Sequence, residues 1–116
     1  MKYVILPLVF VASALRADPP VVENAIALQT DTGWTFDVTL SHPDTGWGHY
    51  ADGWRVESMD GVVLGYRELY HPHVSEQPFT RSLTRVSLPS GTGAVAIRAR
   101  CNKDGWADAT YLLKLD

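Results

Sequence analysis

The sequence predicts an all-β domain in which seven antiparallel strands form a two-sheet β-sandwich. Apolar and polar residues alternate with a period of two over much of the chain, and turn-forming Gly and Pro residues divide it at short intervals. No segment sustains the 3.6-residue period of an amphipathic helix. The chain has 116 residues, which suits one domain, because domains commonly run to ~100–150 residues. We therefore expect one sandwich domain over residues 18–116.

The first 17 residues are predicted to be a secretory signal peptide. A short cationic start, Met1-Lys2-Tyr3, precedes an apolar run from Val4 to Ala14, and small residues offer cleavage points up to Ala17. The apolar run is shorter than the ~20 residues that span a bilayer. A buried first strand or helix is the alternative. Because no cysteine directly follows the run, we expect a periplasmic or secreted protein without a lipid anchor.

Seven strands are predicted after this segment, at residues 21–29, 34–41, 50–58, 62–70, 79–88, 95–101 and 109–115. The second strand alternates most clearly, with an inward row of Trp34, Phe36, Val38 and Leu40. The sixth strand has the inward row Val95, Ile97, Ala99 and Cys101, and the seventh has Ala109, Tyr111, Leu113 and Leu115. We expect the largest contributions to the core from Trp34, Phe36, Trp54, Ile97, Tyr111 and Leu113.

Composition excludes several classes of protein. The net charge is -3 and 20% of residues are charged, without a basic cluster, so nucleic acid and anionic membranes are not expected partners. A single cysteine excludes an internal disulfide framework. The chain also lacks a nucleophile elbow and a phosphate-binding glycine loop, and we expect a protein that is not an enzyme.

Trp54 resembles the buried tryptophan in the third strand of immunoglobulin-like domains, and Cys101 lies near the position of their second cysteine. Val38 replaces the first cysteine and Ala99 replaces the tyrosine two residues before the second. The resemblance therefore implies an immunoglobulin/fibronectin type III-like sandwich and favours the fibronectin-like or another bacterial form over the antibody form.

Two longer segments resemble small exported bacterial proteins with no established activity. They are His49-Tyr50-Ala51-Asp52-Gly53-Trp54 and the run from His71-Pro72-His73 through Glu76-Gln77-Pro78-Phe79-Thr80-Arg81-Ser82-Leu83. The resemblance implies a coherent domain and no catalytic activity.

Three chemically unusual loops are predicted to meet at one end of the sandwich, because alternate connections of an antiparallel sandwich emerge together. They comprise residues 41–52, 70–78 and 101–106, and they contain all four histidines. Loops on a rigid scaffold commonly carry binding sites.

The sharpest metal-binding candidate is His71-Pro72-His73, because residues i and i+2 of an extended segment project to the same side. A third nitrogen from His49 or His42, with a carboxylate from Asp52 or Glu76, would complete a zinc or copper site. The alternative is a hydrogen-bonded loop scaffold in which Arg81 is the charged partner.

Cys101 is predicted to be a buried small hydrophobic residue that ends the inward row of its strand. Its position at the edge of the third loop leaves open a soft metal ligand or an exposed thiol.

Loop aromatics suggest a rival function. Trp47, Tyr50 and Trp106 would form a platform for a sugar or a protein, or would simply cap the core. The sequence thus predicts an exported binding module whose ligand is a metal ion, another small ligand, a glycan or an envelope protein. A structural envelope protein is the remaining alternative.

Overall fold

The computed structural model describes residues 18–115, and the predicted signal peptide lies outside these residues. The described chain forms eight strands: β1 (Val21–Thr30), β2 (Gly33–Ser41), β3 (Ala51–Glu57), β4 (Val63–Glu68), β5 (Phe79–Val86), β6 (Ala94–Cys101), β7 (Gly105–Trp106) and β8 (Tyr111–Lys114). Over the same residues there is no helix, and hence none with the length and apolar character needed to cross a bilayer.

The strands form two antiparallel sheets, as expected for a β-sandwich. One sheet has the order β1-β2-β5, and the other has the order β4-β3-β6-β7 with β8 also paired to β6. At the start of β2, Gly33 has φ +128°, and a Cβ there would lie 2.8 Å from the carbonyl oxygen of Val86. Glycine therefore permits the close approach of β2 to β5.

The described part of the chain has eight strands where the sequence predicted seven, because a short additional strand, β7, lies in the loop predicted at residues 101–106. β7 pairs with Arg100 and Cys101, whereas β8 pairs with residues 94–97. Between them, the carbonyl oxygens of Ala107 and Asp108 accept hydrogen bonds from Nη1 of Arg98 at 2.7 and 2.8 Å. These side-chain bonds satisfy the backbone where it leaves regular pairing.

Inward-facing rows from both sheets form the core. Phe36, Trp54 and Ile97 are fully buried, whereas the other three expected contributors, Trp34, Tyr111 and Leu113, are partly buried against them. The alternation predicted for β2 and β6 is present: Phe36, Val38, Leu40, Val95, Ile97, Ala99 and Cys101 are all buried. Period-two reasoning therefore located most of the core.

Candidate metal centre

The three predicted loops converge at one end of the sandwich. Asp44, between β2 and β3, accepts a hydrogen bond from the backbone N–H of His73, between β4 and β5, at 2.8 Å. Gln77 makes a second connection, because its Oε1 accepts the backbone N–H of His42 at 3.0 Å. The turn after β6 joins them where Asn102 Nδ2 donates to the carbonyl oxygen of Trp47 at 2.9 Å.

Two histidines and the cysteine meet at this end. The ligand atoms of His42, His49 and Cys101 all lie within 4.8 Å of one another. The Cys101 Sγ lies 3.5 Å from the His49 Nε2. The His42 and His49 rings meet edge to face, with centroids 4.7 Å apart.

Strand ends position these side chains. His42 directly follows β2, His49 lies two residues before β3, and Cys101 is the last residue of β6. Each extends an inward row by one further position, beyond Leu40, Ala51 and Ala99, which are all buried. The continuing alternation turns all three side chains toward the end of the core.

Asp44 fixes the orientation of His42. The His42 Nδ1 donates to Asp44 Oδ1 at 2.6 Å, and both side chains are fully buried. The same carboxylate accepts the backbone N–H of Ala51 at 2.9 Å. A carboxylate that holds one ring nitrogen is the usual support of a metal-binding histidine, and an ion would bind the other nitrogen of His42 in place of its present partner.

The other nitrogen of His42 faces the chain at Asp18. The His42 Nε2 lies 2.8 Å from the carbonyl oxygen of Asp18, whose N–H donates to Asp104 Oδ2 at 3.3 Å. Asp18 and His42 line a cavity of about 300 Å³, while Asp104 lines a groove of about 680 Å³. Asp18 thus lies against the His42 ring at its Nε2 atom.

Asp104 supplies a carboxylate beside the group. Its Oδ2 lies 3.6 Å from the Cys101 Sγ and 3.9 Å from the His49 Nε2. A tetrahedral zinc ion, with bonds of about 2.1 Å to nitrogen and 2.3 Å to sulfur, separates its ligand atoms by about 3.5 Å. The three measured separations at Cys101, His49 and Asp104 are close to that spacing.

The structure does not bring the predicted set of His49, His71, His73, Asp52 and Glu76 into one such group. His71 is exposed, and its ring centroid lies 5.8 Å from that of His73. Asp52 Oδ1 accepts from Nε of Arg100 at 2.8 Å. The i, i+2 argument requires an extended strand, and residues 69–78 contain none.

His73 and Glu76 instead match the alternative of a loop scaffold around Arg81. Nη2 of Arg81 donates to the His73 Nε2 at 2.9 Å and to Glu76 Oε1 at 3.1 Å. The His73 ring stacks on Phe79 with centroids 4.0 Å apart. Burial, followed by the nearby Arg81 cation, lowers the pKa of His73 below its ordinary value.

The predicted aromatic platform is divided between two places. Trp47 is 67% exposed and meets Tyr50 edge to face at 5.7 Å. Trp106 packs instead against Tyr66, and the Arg55 guanidinium lies 3.9 Å from the centre of its ring. The structure therefore places Trp47 and Tyr50 together, and gives Trp106 other neighbours.

Cys101 is buried, as the sequence predicts, yet it also lies against His49. His42 and Cys101 were only secondary metal-ligand candidates from the sequence. The signal that identifies them is their place in the alternation: Cys101 is the last inward residue of its predicted strand, and His42 is the next inward position after Leu40 in the predicted second strand.

Part of the chain is similar to one curated protein. A protein of Halomicrobium mukohataei named "Putative lipoprotein" is 48% identical over 71 residues, and the match covers 61% of this chain. The match spans about a third of the relative, 34% of its length. No protein-family model matches the chain, and no solved structure matches it.

Proposed function

We propose that the chain is an exported, non-enzymatic β-sandwich module that binds one zinc or copper ion through His42, His49 and Cys101. The observation that carries the proposal is the approach of these three ligand atoms to within 4.8 Å of one another. Imidazole and thiolate are donors that suit zinc and copper, whereas calcium prefers oxygen.

Export is supported by the signal-peptide pattern and by the printed name of the Halomicrobium mukohataei relative. Periplasm and external medium are both compatible with that pattern.

The strand order supports the fibronectin type III-like form of the sandwich. β4 pairs with β3, whereas in antibody constant domains the fourth strand joins the sheet of the first. β7 and β8 together take the place of a single seventh strand.

Metal titration of the full chain tests the proposal. Zinc and copper(II) are titrated into reduced protein in competition with a chromophoric chelator, and we expect one ion per chain. His49→Ala should weaken binding at least about tenfold, because it removes one ligand. His71→Ala is the matched control, since this exposed histidine lies outside the group.

Unchanged affinity in His49→Ala and Cys101→Ser would refute the proposed site. A loss in His71→Ala as large as that in His49→Ala would instead favour the loop at residues 70–78.

Recognition of a glycan or protein by Trp47 and Tyr50 is the second candidate, supported by the 67% exposure of Trp47. A glycan that binds through this pair should quench tryptophan fluorescence in the native protein and bind more weakly to Trp47→Ala. Quenching that persists unchanged in Trp47→Ala would exclude this surface.

A further inference from the structure

The donor set of the candidate metal centre contains two imidazoles and one thiol. Proteins use a trigonal set of two histidines and one cysteine, with a weak fourth ligand, to hold copper through a copper–thiolate bond. The Asp104 Oδ2 lies 3.6 Å from the Cys101 Sγ and 3.9 Å from the His49 Nε2. The geometry therefore supplies two imidazoles and one thiol, with a carboxylate oxygen beside the thiol and one of the imidazoles.

We propose that the resident ion is copper, bound through the Cys101 thiolate, and that the site holds both Cu(II) and Cu(I). This inference rests on the proposed function and names the metal and its bonding. Soft thiolate suits Cu(I), while imidazole suits both oxidation states.

Burial protects the thiolate from the usual reaction with copper(II). Free Cu(II) oxidises accessible thiols, which lose one electron each to give Cu(I) and pair as disulfides. Cys101 is fully buried, and the chain has one cysteine. An intramolecular disulfide is therefore excluded, and burial opposes contact between the thiols of two molecules.

A backbone hydrogen bond tunes the sulfur. The N–H of Asp104 donates to the Cys101 Sγ at 3.3 Å. A donor to sulfur stabilises the negative charge of a thiolate, and hydrogen bonding around a cysteine ligand sets the reduction potential of such copper sites. The turn from β6 to β7 thus places the Asp104 N–H, which influences the reduction potential of a bound copper ion, beside the Cys101 sulfur.

The scaffold favours one geometry for both oxidation states. His42 follows β2 in one sheet and Cys101 ends β6 in the other. Asn102 holds the segment that carries His49, because its Oδ1 accepts the N–H of Tyr50 at 2.9 Å. Ligands fixed in this way move little when the copper gains or loses an electron.

Optical titration of the full chain tests the inference. Copper(II) is added without oxygen to reduced protein, and we expect an intense visible thiolate-to-copper band that saturates at one copper per chain. Ascorbate, which gives one electron to each Cu(II), should bleach the band, and ferricyanide should restore it by removing that electron.

Three variants show which residues give rise to the thiolate-to-copper band. Cys101→Ser should abolish it while the two histidines still bind copper weakly, and His49→Ala should shift or remove it. His71→Ala should leave it unchanged. Since serine at a buried position can impair folding, circular dichroism of each variant and the His49→Ala result keep the test decisive.

The possible failures are distinguishable. Stoichiometric zinc binding at His42, His49 and Cys101 with no thiolate–copper band overturns the copper inference and leaves the proposed function standing. Disulfide-linked dimers after copper addition also overturn the inference. Absence of binding by both metals overturns the inference and the proposed function together.

Discussion

Asp44 illustrates how one residue organises two loops and a histidine. Its carboxylate accepts the ring N–H of His42 and the backbone N–H groups of Ala51 and His73, at 2.6, 2.9 and 2.8 Å. Its side chain is fully buried, so water cannot replace these bonds if the carboxylate is removed.

Asp44→Ala is expected to lower the free energy of unfolding by about 3 kcal/mol or more, because it leaves buried donors unpaired. Urea denaturation measures the change. Asp31→Ala, at an exposed position in the turn from β1 to β2, is the control and should change stability by less than about 0.5 kcal/mol. If Asp44→Ala and Asp31→Ala change the free energy of unfolding equally, then Asp44 does not stabilise the two loops as described.

His73 should make stability depend on pH. Its pKa is lowered from 6.5 in the folded chain by burial and by Arg81, partly opposed by Glu76 and Asp44. Between the folded pKa and 6.5 the unfolded chain binds more protons, so the stabilisation is present above pH 6.5 and is lost as the pH falls below it.

The comparison of wild type with His73→Phe isolates this contribution, because phenylalanine keeps a ring for stacking on Phe79 and does not titrate. Unfolding free energies at pH 7.5 and 5 should fall more in the wild type than in the variant. If the unfolding free energy falls equally with pH in the wild type and in His73→Phe, another group causes the acid sensitivity.

At the scale of strands, Glu57 joins β3 to β6. Its Oε2 accepts hydrogen bonds from Nε of Arg55 at 2.6 Å and from Nε of Arg98 at 2.8 Å. The hydrogen bond from Arg98 is the main cause of a lowered pKa at Glu57, which burial partly opposes. The resulting stability is present above pH 4.5 and is lost as the pH falls through the folded pKa.

Glu57→Gln should therefore cost about 2 kcal/mol at pH 7, since it removes the charge that two partly exposed arginines share. The difference from wild type should shrink below pH 4.5. Unfolding curves at pH 7 and 3.5 measure both quantities, and a constant difference across that range would contradict the ion-pair explanation.

Gly65 marks a close contact between the sheets. A Cβ at this position in β4 would lie 2.9 Å from Leu83 Cδ2 and 3.2 Å from Val86 Cγ2, both in β5. Gly65→Ala should therefore destabilise the protein by about 1–3 kcal/mol through overpacking. Gly93→Ala is the matched control, since a Cβ there meets nothing within 4 Å. Thermal unfolding of the two variants separates packing from the general effect of adding a methyl group.

At the scale of the whole molecule, an ion held by His42 and Cys101 would link the two sheets. A ligand that binds only the folded chain stabilises it by about 2.7 kcal/mol at 100 times the dissociation constant, which raises Tm by roughly 11–22 °C for a domain of this size. Calorimetry should show that Tm rises when the metal is added and returns to its original value when a chelator removes the metal. His71→Ala should retain the rise and His49→Ala should lose most of it.

Sequence reasoning predicted the sandwich and its loop-bearing end because both depend on short-range alternation and strand direction. Phe36, Val38 and Ile97 are buried as their period-two pattern requires. The choice of ligands depends on contacts between distant loops, such as Cys101 with His49. The pattern of His71 and His73 carries no information about Arg81, which engages His73 in the folded chain.

The position of Asp18 has a kinetic consequence. Its carbonyl oxygen occupies the Nε2 face of His42 at 2.8 Å, so an incoming ion must wait for that contact to open. At low concentrations the observed rate constant for uptake should rise linearly with metal. At high concentrations it should reach a plateau equal to the opening rate, which stopped-flow mixing can measure.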